Sequence, residues 1–172
     1  MSIHHHLDTS GRCAAMGQSA EDTFAALAKE QGFTVKKSSD HQDRIEHFDF
    51  LIEKGGKRYR VEVKSKKGFS ILHKGRMIRD FFLLEFVGVT GRAGWLYGQA
   101  DLVAFQEENG FYLVPRKTLV EVGEKLCTRE WVDDKKQMLY KNYGRKDRQD
   151  EVSAILVNDI LVARNFSFWK KA

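Results

Sequence analysis

An α/β fold built on a mixed central β-sheet flanked by helices is what this sequence predicts, and three observations predict it. An amphipathic helical stretch lies near the start, alternating strand segments joined by tight turns fill the middle, and the single proline opens a second helical stretch. With 172 residues, 42% of them apolar, the chain is sized for one domain with a real core.

The first helix is read from Gln18 to Gln31, where Ala20, Phe24, Leu27 and Ala28 fall at helical spacing. Ser19 is its expected N-cap and Gly32 its stop. After a short apolar touch from Phe33 to Val35, the polar run Lys36 to Arg44 reads as loop. Ile45 to Ile52 and Arg58 to Lys64 alternate as the arms of a hairpin, with Gly55-Gly56 supplying the turn. Lys66 to Arg79 has no firm period and reads as a mobile basic connection. Asp80 to Val89 reads as a buried strand that carries Glu85 inside or to the sheet edge.

Asp101 to Gln106 and Phe111 to Val114 are strands about a turn, and Pro115 opens a helix running to about Leu126. Thr128 to Asp150 is charged and thinly apolar, an excursion and not a second core. Val152 to Val157 is the last expected strand, followed by a short helix from Asn158 to Ala163 and a tail. The organisation expected is a flexible N-terminus over residues 1–16, a core over 17–126, and a basic excursion with a terminal strand and helix, 127–172, packed on that core.

Composition narrows the partners. Twenty-nine Lys and Arg against 24 Asp and Glu give a formal net charge of +5, which favours polyanions. Cys13 and Cys127 are far apart and show neither a disulfide framework nor zinc-ligand spacing, so a reducing, cytoplasmic setting is expected. No apolar run approaches the roughly 20 residues that span a bilayer, so no membrane partner is expected. The longest, from Phe81 to Val89, is broken by Glu85. His4-His5-His6 reads as a tag remnant or frayed end, with no signal-peptide core behind it.

The chemistry concentrates in the first hairpin. Asp49 lies on one arm between Phe48 and Phe50, and Glu62 and Lys64 lie on the other, two residues apart and so on one face. Two carboxylates and an amine on adjacent strands form the outline of a hydrolytic metal site. Mg²⁺ takes oxygen ligands and keeps several waters, so Asp49, Glu62 and the main-chain carbonyl of Val63 are a sufficient shell, with Mn²⁺ able to substitute. Lys64 is placed to orient water or offset phosphate charge, with proton abstraction left open. The ordinary alternative is a solvated strand face carrying a weak ion pair.

His47-x-Asp49 followed by Val61-Glu62-Val63-Lys64-Ser65, with Glu21 on the preceding helix, resembles the PD-(D/E)XK nuclease superfamily. The likeness is strongest to archaeal Holliday-junction resolvases and phage-encoded members, and it covers roughly Gly17 to Val114. It implies a restriction-endonuclease-like core, Mg²⁺ dependence and DNA cleavage. Asp49 and Glu62 would be metal ligands, Lys64 the catalytic lysine, and Glu21 the helix acid reaching the metal shell directly or through water. Phe48 stands where the name-giving proline would be, and Asp43 is a lower-ranked rival for the first carboxylate.

Around this site Ser65, Lys66, Lys67, Lys74 and Arg76, with His73 and Arg79, form a basic stretch expected to meet phosphates, joined by His47 and Gln99. Trp131, Tyr140 and Tyr143 interleave a second basic cluster suited to gripping a duplex arm or stacking a base. Glu85 is left as either an added site acid or an arginine partner, and Asp101 as a metal ligand or a turn cap. The expectation is a Mg²⁺-dependent DNA nuclease, acting on branched or end structures and as a symmetric homodimer if it cuts junctions. Its rivals are a non-catalytic nucleic-acid-binding module of the same fold and an RNA-directed nuclease.

Overall fold

A computed structural model describes residues 12–172. His4-His5-His6 and most of the expected flexible N-terminus lie outside the described residues. In chain order the regular elements are α1 (Arg12–Glu30), β1 (Thr34–Lys37), β2 (Phe50–Lys54), β3 (Lys57–Lys64), β4 (Ile71–His73), β5 (Arg76–Ile78), β6 (Phe81–Val87), β7 (Leu102–Glu107), β8 (Gly110–Pro115), α2 (Arg116–Leu126), β9 (Glu151–Leu156), α3 (Val157–Ala163) and β10 (Ser167–Lys170). They form two compact units. Among the described residues the first comprises 12–66, Ala100–Leu113 and Ser167–Ala172; the second comprises Lys67–Gln99 and Val114–Phe166.

The first unit is a six-stranded mixed sheet ordered β1-β2-β3-β7-β8-β10 with α1 packed on one face. β1, β2 and β3 run antiparallel in succession, β3 pairs parallel with β7, and β10 pairs antiparallel with β8. The β2–β3 turn is the expected one: Gly55 and Gly56 both take positive φ (58° and 77°), the left-handed pair that a two-residue hairpin turn needs. Ala20, Phe24, Leu27 and Ala28, the helical stripe read from the sequence, are buried against Phe50, Ile52, Val61, Val63, Phe111 and Leu113. Phe24 is fully buried and lies against the rings of Phe50, Phe111 and Trp169, stacked on the last at 5.8 Å.

Three expectations for this unit change. The first helix begins at Arg12, because Ala14, Ala15 and Met16 are strong helix formers that carry the pattern back through Gly17. Ser19 is therefore inside the helix, its carbonyl accepting the Thr23 hydroxyl at 2.8 Å. The supposed loop after Val35 contains the rest of strand β1 and a π-helical turn at Gln42–Glu46, so the strand expected from Ile45 starts only at Phe50. The tail contains β10, whose Trp169 supplies the apolar contact that holds a short edge strand in place.

The second unit has its own core, in which Ile71, Phe81, Met138 and Ala154 are buried together. β6 pairs antiparallel with β9 in a separate two-stranded ladder and does not join the main sheet as expected. The stretch read as a mobile connection holds the β4–β5 hairpin, anchored by fully buried Ile71. The stretch read as an excursion also belongs to this core. Met138 and Asn142 are buried, and buried Asp150 accepts the Arg145 guanidinium at 2.9 Å. Its polar surplus hid this, since the apolar anchors are few and follow no period. Helices α2 and α3 fall where the sequence put them; Gly123 lets α2 approach Leu84, whose Cδ1 would lie 2.8 Å from an added Cβ.

Phe24→Ala is expected to lower the unfolding free energy by about 3–5 kcal/mol, read from urea denaturation, because it empties the aromatic centre of the first unit.

Candidate active site

Asp49 is set by the turn before it. The π-helical turn ends on His47 in the left-handed conformation (φ 56°), which redirects the chain and sends Phe48 into the interior. Asp49 is then clamped between neighbours: its N–H donates to the Val61 carbonyl and its carbonyl accepts the Ser38 N–H, both at 2.8 Å. The β2–β3 ladder stops at Phe50 and Val61, so Val63 has no β2 residue opposite it. The Asp49 carboxylate takes the vacant position, Oδ2 accepting the Val63 N–H at 2.7 Å. Because N–H and C=O of one strand residue point to the same edge, the Val63 carbonyl faces the same side as that carboxylate.

Glu62 and Lys64 occupy the face of β3 opposite Val61 and Val63, as alternation requires. Glu62 is 6% exposed, which excludes the solvated-face reading. Its Oε1 lies 2.5 Å from Lys64 Nζ, while its Oε2 is buried with no hydrogen-bond partner. Leaving such an atom unsatisfied costs on the order of 1–3 kcal/mol, more for a charged group. Burial first, and then the negative charges of Glu62 and Glu21, hold the Asp49 carboxyl well above the ordinary carboxylate range, against the opposing pull of Lys64 and the Val63 N–H.

Glu21 reaches this neighbourhood through a residue the sequence reading missed. Lys37, on β1 opposite Phe50, forms an ion pair with Glu21 and lies 4.8 Å from the Phe50 ring centroid. Burial lowers its pKa, but the hydrogen bond and charge of Glu21, with the charges of Asp49 and Asp43, raise it overall above the ordinary lysine value. The missed signal was the spacing of Phe33, Val35 and Lys37, a strand alternation directly after the Gly32 helix stop. Asp43 itself is exposed in the π-helical turn.

Other expected residues have different placements. His47 does not share Asp49's side by strand alternation, because residues 42–46 are helical and His47 is the left-handed exit. Ser65 follows β3 directly, and Lys66 is engaged by Glu107. Asp101 neither caps a turn nor joins the acids at Asp49: it accepts the Arg60 N–H of β3 at 2.8 Å and pairs with the Arg60 guanidinium. Lys67, Lys74, Arg76, Gln99 and Glu85 belong to the second unit, where Glu85 Oε1 accepts the Trp95 N–H at 3.4 Å.

No family model and no curated protein matches the sequence. Among solved structures, the bacterial homing endonuclease I-Ssp6803I is similar, with 19% identity and a TM-score of 0.47 over 63% of this chain and 72% of that one. No helix among the described residues is long and apolar enough to cross a membrane.

Among the described residues no three His, Cys, Asp or Glu side chains are grouped to hold a metal by themselves. The oxygen donors at hand are Asp49, the unpartnered Oε2 of Glu62 and the Val63 carbonyl. An all-oxygen set suits a hard divalent cation, and such an ion would relieve both the raised Asp49 and the unpartnered oxygen.

Because native Asp49 keeps its proton to higher pH than the unfolded chain does, its ionisation subtracts stability as pH rises from the ordinary carboxylate value through the raised one. In EDTA, Asp49→Asn, which still accepts the Val63 N–H, is expected to raise the melting temperature at pH 8 and to match the wild type at pH 3. Asp49→Ala leaves that N–H unpaired and is expected to cost about 1–3 kcal/mol relative to Asp49→Asn. Thermal and urea melts across pH check both.

Proposed function

We propose that the first unit carries the active site of a divalent-metal-dependent nuclease of the PD-(D/E)XK kind, hydrolysing phosphodiester bonds in DNA. The observation that carries the reading is a buried acid held protonated above its usual range beside a second buried acid with an unpartnered oxygen and a lysine on its other oxygen. A structural ion pair has no use for the unpartnered oxygen, whereas a cation site does.

In this reading Asp49, Glu62 and the Val63 carbonyl hold Mg²⁺ or Mn²⁺. The bound ion supplies Lewis-acid polarisation of the phosphate and a more acidic water. The Val63 N–H fixes Asp49 so that one carboxylate oxygen stays turned to the ion. Lys64, restrained by Glu62, orients the attacking water or neutralises charge at the phosphate. Glu21 acts from α1, tethered by Lys37, which keeps a positive charge beside the acids. Among the residues grouped here no Ser, Cys or His stands as an activated nucleophile, so hydrolysis proceeds without a covalent enzyme intermediate.

A second reading has one observation in its favour: Lys64–Glu62 and Lys37–Glu21 already balance two of the three acids internally. A non-catalytic nucleic-acid-binding domain would need no more. Metal binding separates the two, since only the enzyme needs a divalent ion that Glu62→Gln abolishes.

Branched, single-stranded, linear and nicked DNAs, with matching RNAs, should be offered to the purified chain with Mg²⁺ or Mn²⁺. Cleavage of at least one DNA is expected, with a preference for branched or end structures, and a junction cutter is expected to sediment as a dimer. Lys64→Ala should slow cleavage by about 10²–10⁴-fold while leaving DNA affinity nearly unchanged. Glu62→Gln should abolish both cleavage and calorimetric Mn²⁺ binding. A wild type that cuts none of these substrates ends the nuclease reading.

A further inference from the structure

The sequence assigned the stretch between Ser65 and Arg79 only charge, and the structure gives it a shape. β4 and β5 form a hairpin in strict register, with Ile71 opposite Ile78, Leu72 opposite Met77 and His73 opposite Arg76. Its turn is Lys74-Gly75, both at positive φ (49° and 76°), which makes a tight two-residue connection. The inner face is anchored by fully buried Ile71, packed with Phe81, Met138 and Ala154. The outer face presents Leu72 and Met77, 41% and 50% exposed, side by side on adjacent strands.

An outer hairpin face that meets only water is ordinarily polar. Here it carries two of the larger exposed apolar side chains among the described residues, with exposed Lys74 at the turn next to them and exposed Arg76 at the turn end of the other face, in a stretch from Ser65 to Arg79 without a single acid. The wider setting has the same sign. The described first unit is nearly charge-balanced, with thirteen Lys and Arg and twelve Asp and Glu, whereas the second has sixteen and eleven, an excess of +5. A small apolar tip on an acid-free stretch of a net-positive unit fits a polyanion with a stacked apolar interior. Leu and Met are among the side chains that wedge between base steps, while Lys and Arg hold the flanking phosphates.

We infer that the β4–β5 hairpin is a DNA wedge: Leu72 and Met77 enter between base steps and bend the duplex, and Lys74 and Arg76 grip the phosphates on either side. This rests on the nucleic-acid reading of the chain but not on its chemistry. A second copy of this chain is the competing occupant of the apolar pair, and solution mass reports it.

The test uses the full chain and a short duplex labelled at both ends, with Ca²⁺ in place of Mg²⁺. Energy transfer between the labels reports bending, and anisotropy across a salt series reports affinity. The wild type should draw the duplex ends together. Leu72→Ser/Met77→Ser should lose the bend and bind about tenfold more weakly with an unchanged salt slope, since no phosphate contact is removed. Lys74→Ala/Arg76→Ala should lower the salt slope by about two while saturating protein still bends the DNA. All four positions are exposed or at the turn, and melting curves matching the wild type confirm that each variant folds. A Leu72→Ser/Met77→Ser protein that bends and binds like the wild type overturns the wedge, as does one whose sedimentation mass falls relative to the wild type. Bending without cleavage in Mg²⁺ overturns only the nuclease reading, and cleavage without bending overturns only the wedge.

Discussion

One hydrogen bond organises the first unit's chemistry: the Val63 N–H donated to the Asp49 carboxylate. Where the β2–β3 ladder runs out, a strand would normally expose its next donor to water. A side chain takes the position instead, so Asp49 is fixed by the backbone geometry of β3 as firmly as a ladder residue would be. The same exchange turns the Val63 carbonyl to that edge and leaves Glu62 on the adjacent pleat. Removing the bond would release a buried donor and the acid together, so fold and site share this point.

The electrostatics follow from that placement. Two acids in a buried corner raise each other's cost of ionisation, and a third on α1 adds to it. Lys64 and Lys37 answer from opposite directions, one through Glu62 and one through Glu21. The balance is incomplete, because one Glu62 oxygen has no partner. Proteins seldom leave a buried carboxylate oxygen so, and the ordinary remedy is an ion or water held in common.

Legibility in the sequence tracked periodicity. Asp49, Glu62 and Lys64 could be placed because alternation and the Gly55-Gly56 turn fix a hairpin's register with no help from the rest of the fold. Phe24 and its helical stripe were readable for the same reason. Lys37 was not, because β1 is four residues long and mostly exposed, so its alternation is carried by Phe33, Val35 and Lys37 alone and is easily passed over. His47 was misread because a π-helical turn and a left-handed residue break the alternation while leaving the hydrophobic pattern of Ile45, Phe48 and Phe50 superficially strand-like. In the second unit Met138 and Ile71 hold polar stretches in place through single anchors, and one anchor leaves no pattern. The assignment of β6 to a ladder with β9 depends on a partner some seventy residues away, which local reading cannot see.

The first unit is assembled from three stretches of chain, and its outermost strand, β10, pairs with β8 only at Ser167–Lys170. Asp49 and the four side chains gathered around it, Glu21, Lys37, Glu62 and Lys64, all precede Lys66 in the chain, yet the sheet that steadies them is finished only when synthesis has passed Lys170. Closing loops of that length is slow. A nascent chain therefore carries these acids and lysines from Lys64 until β10 emerges before the full sheet can hold them in register.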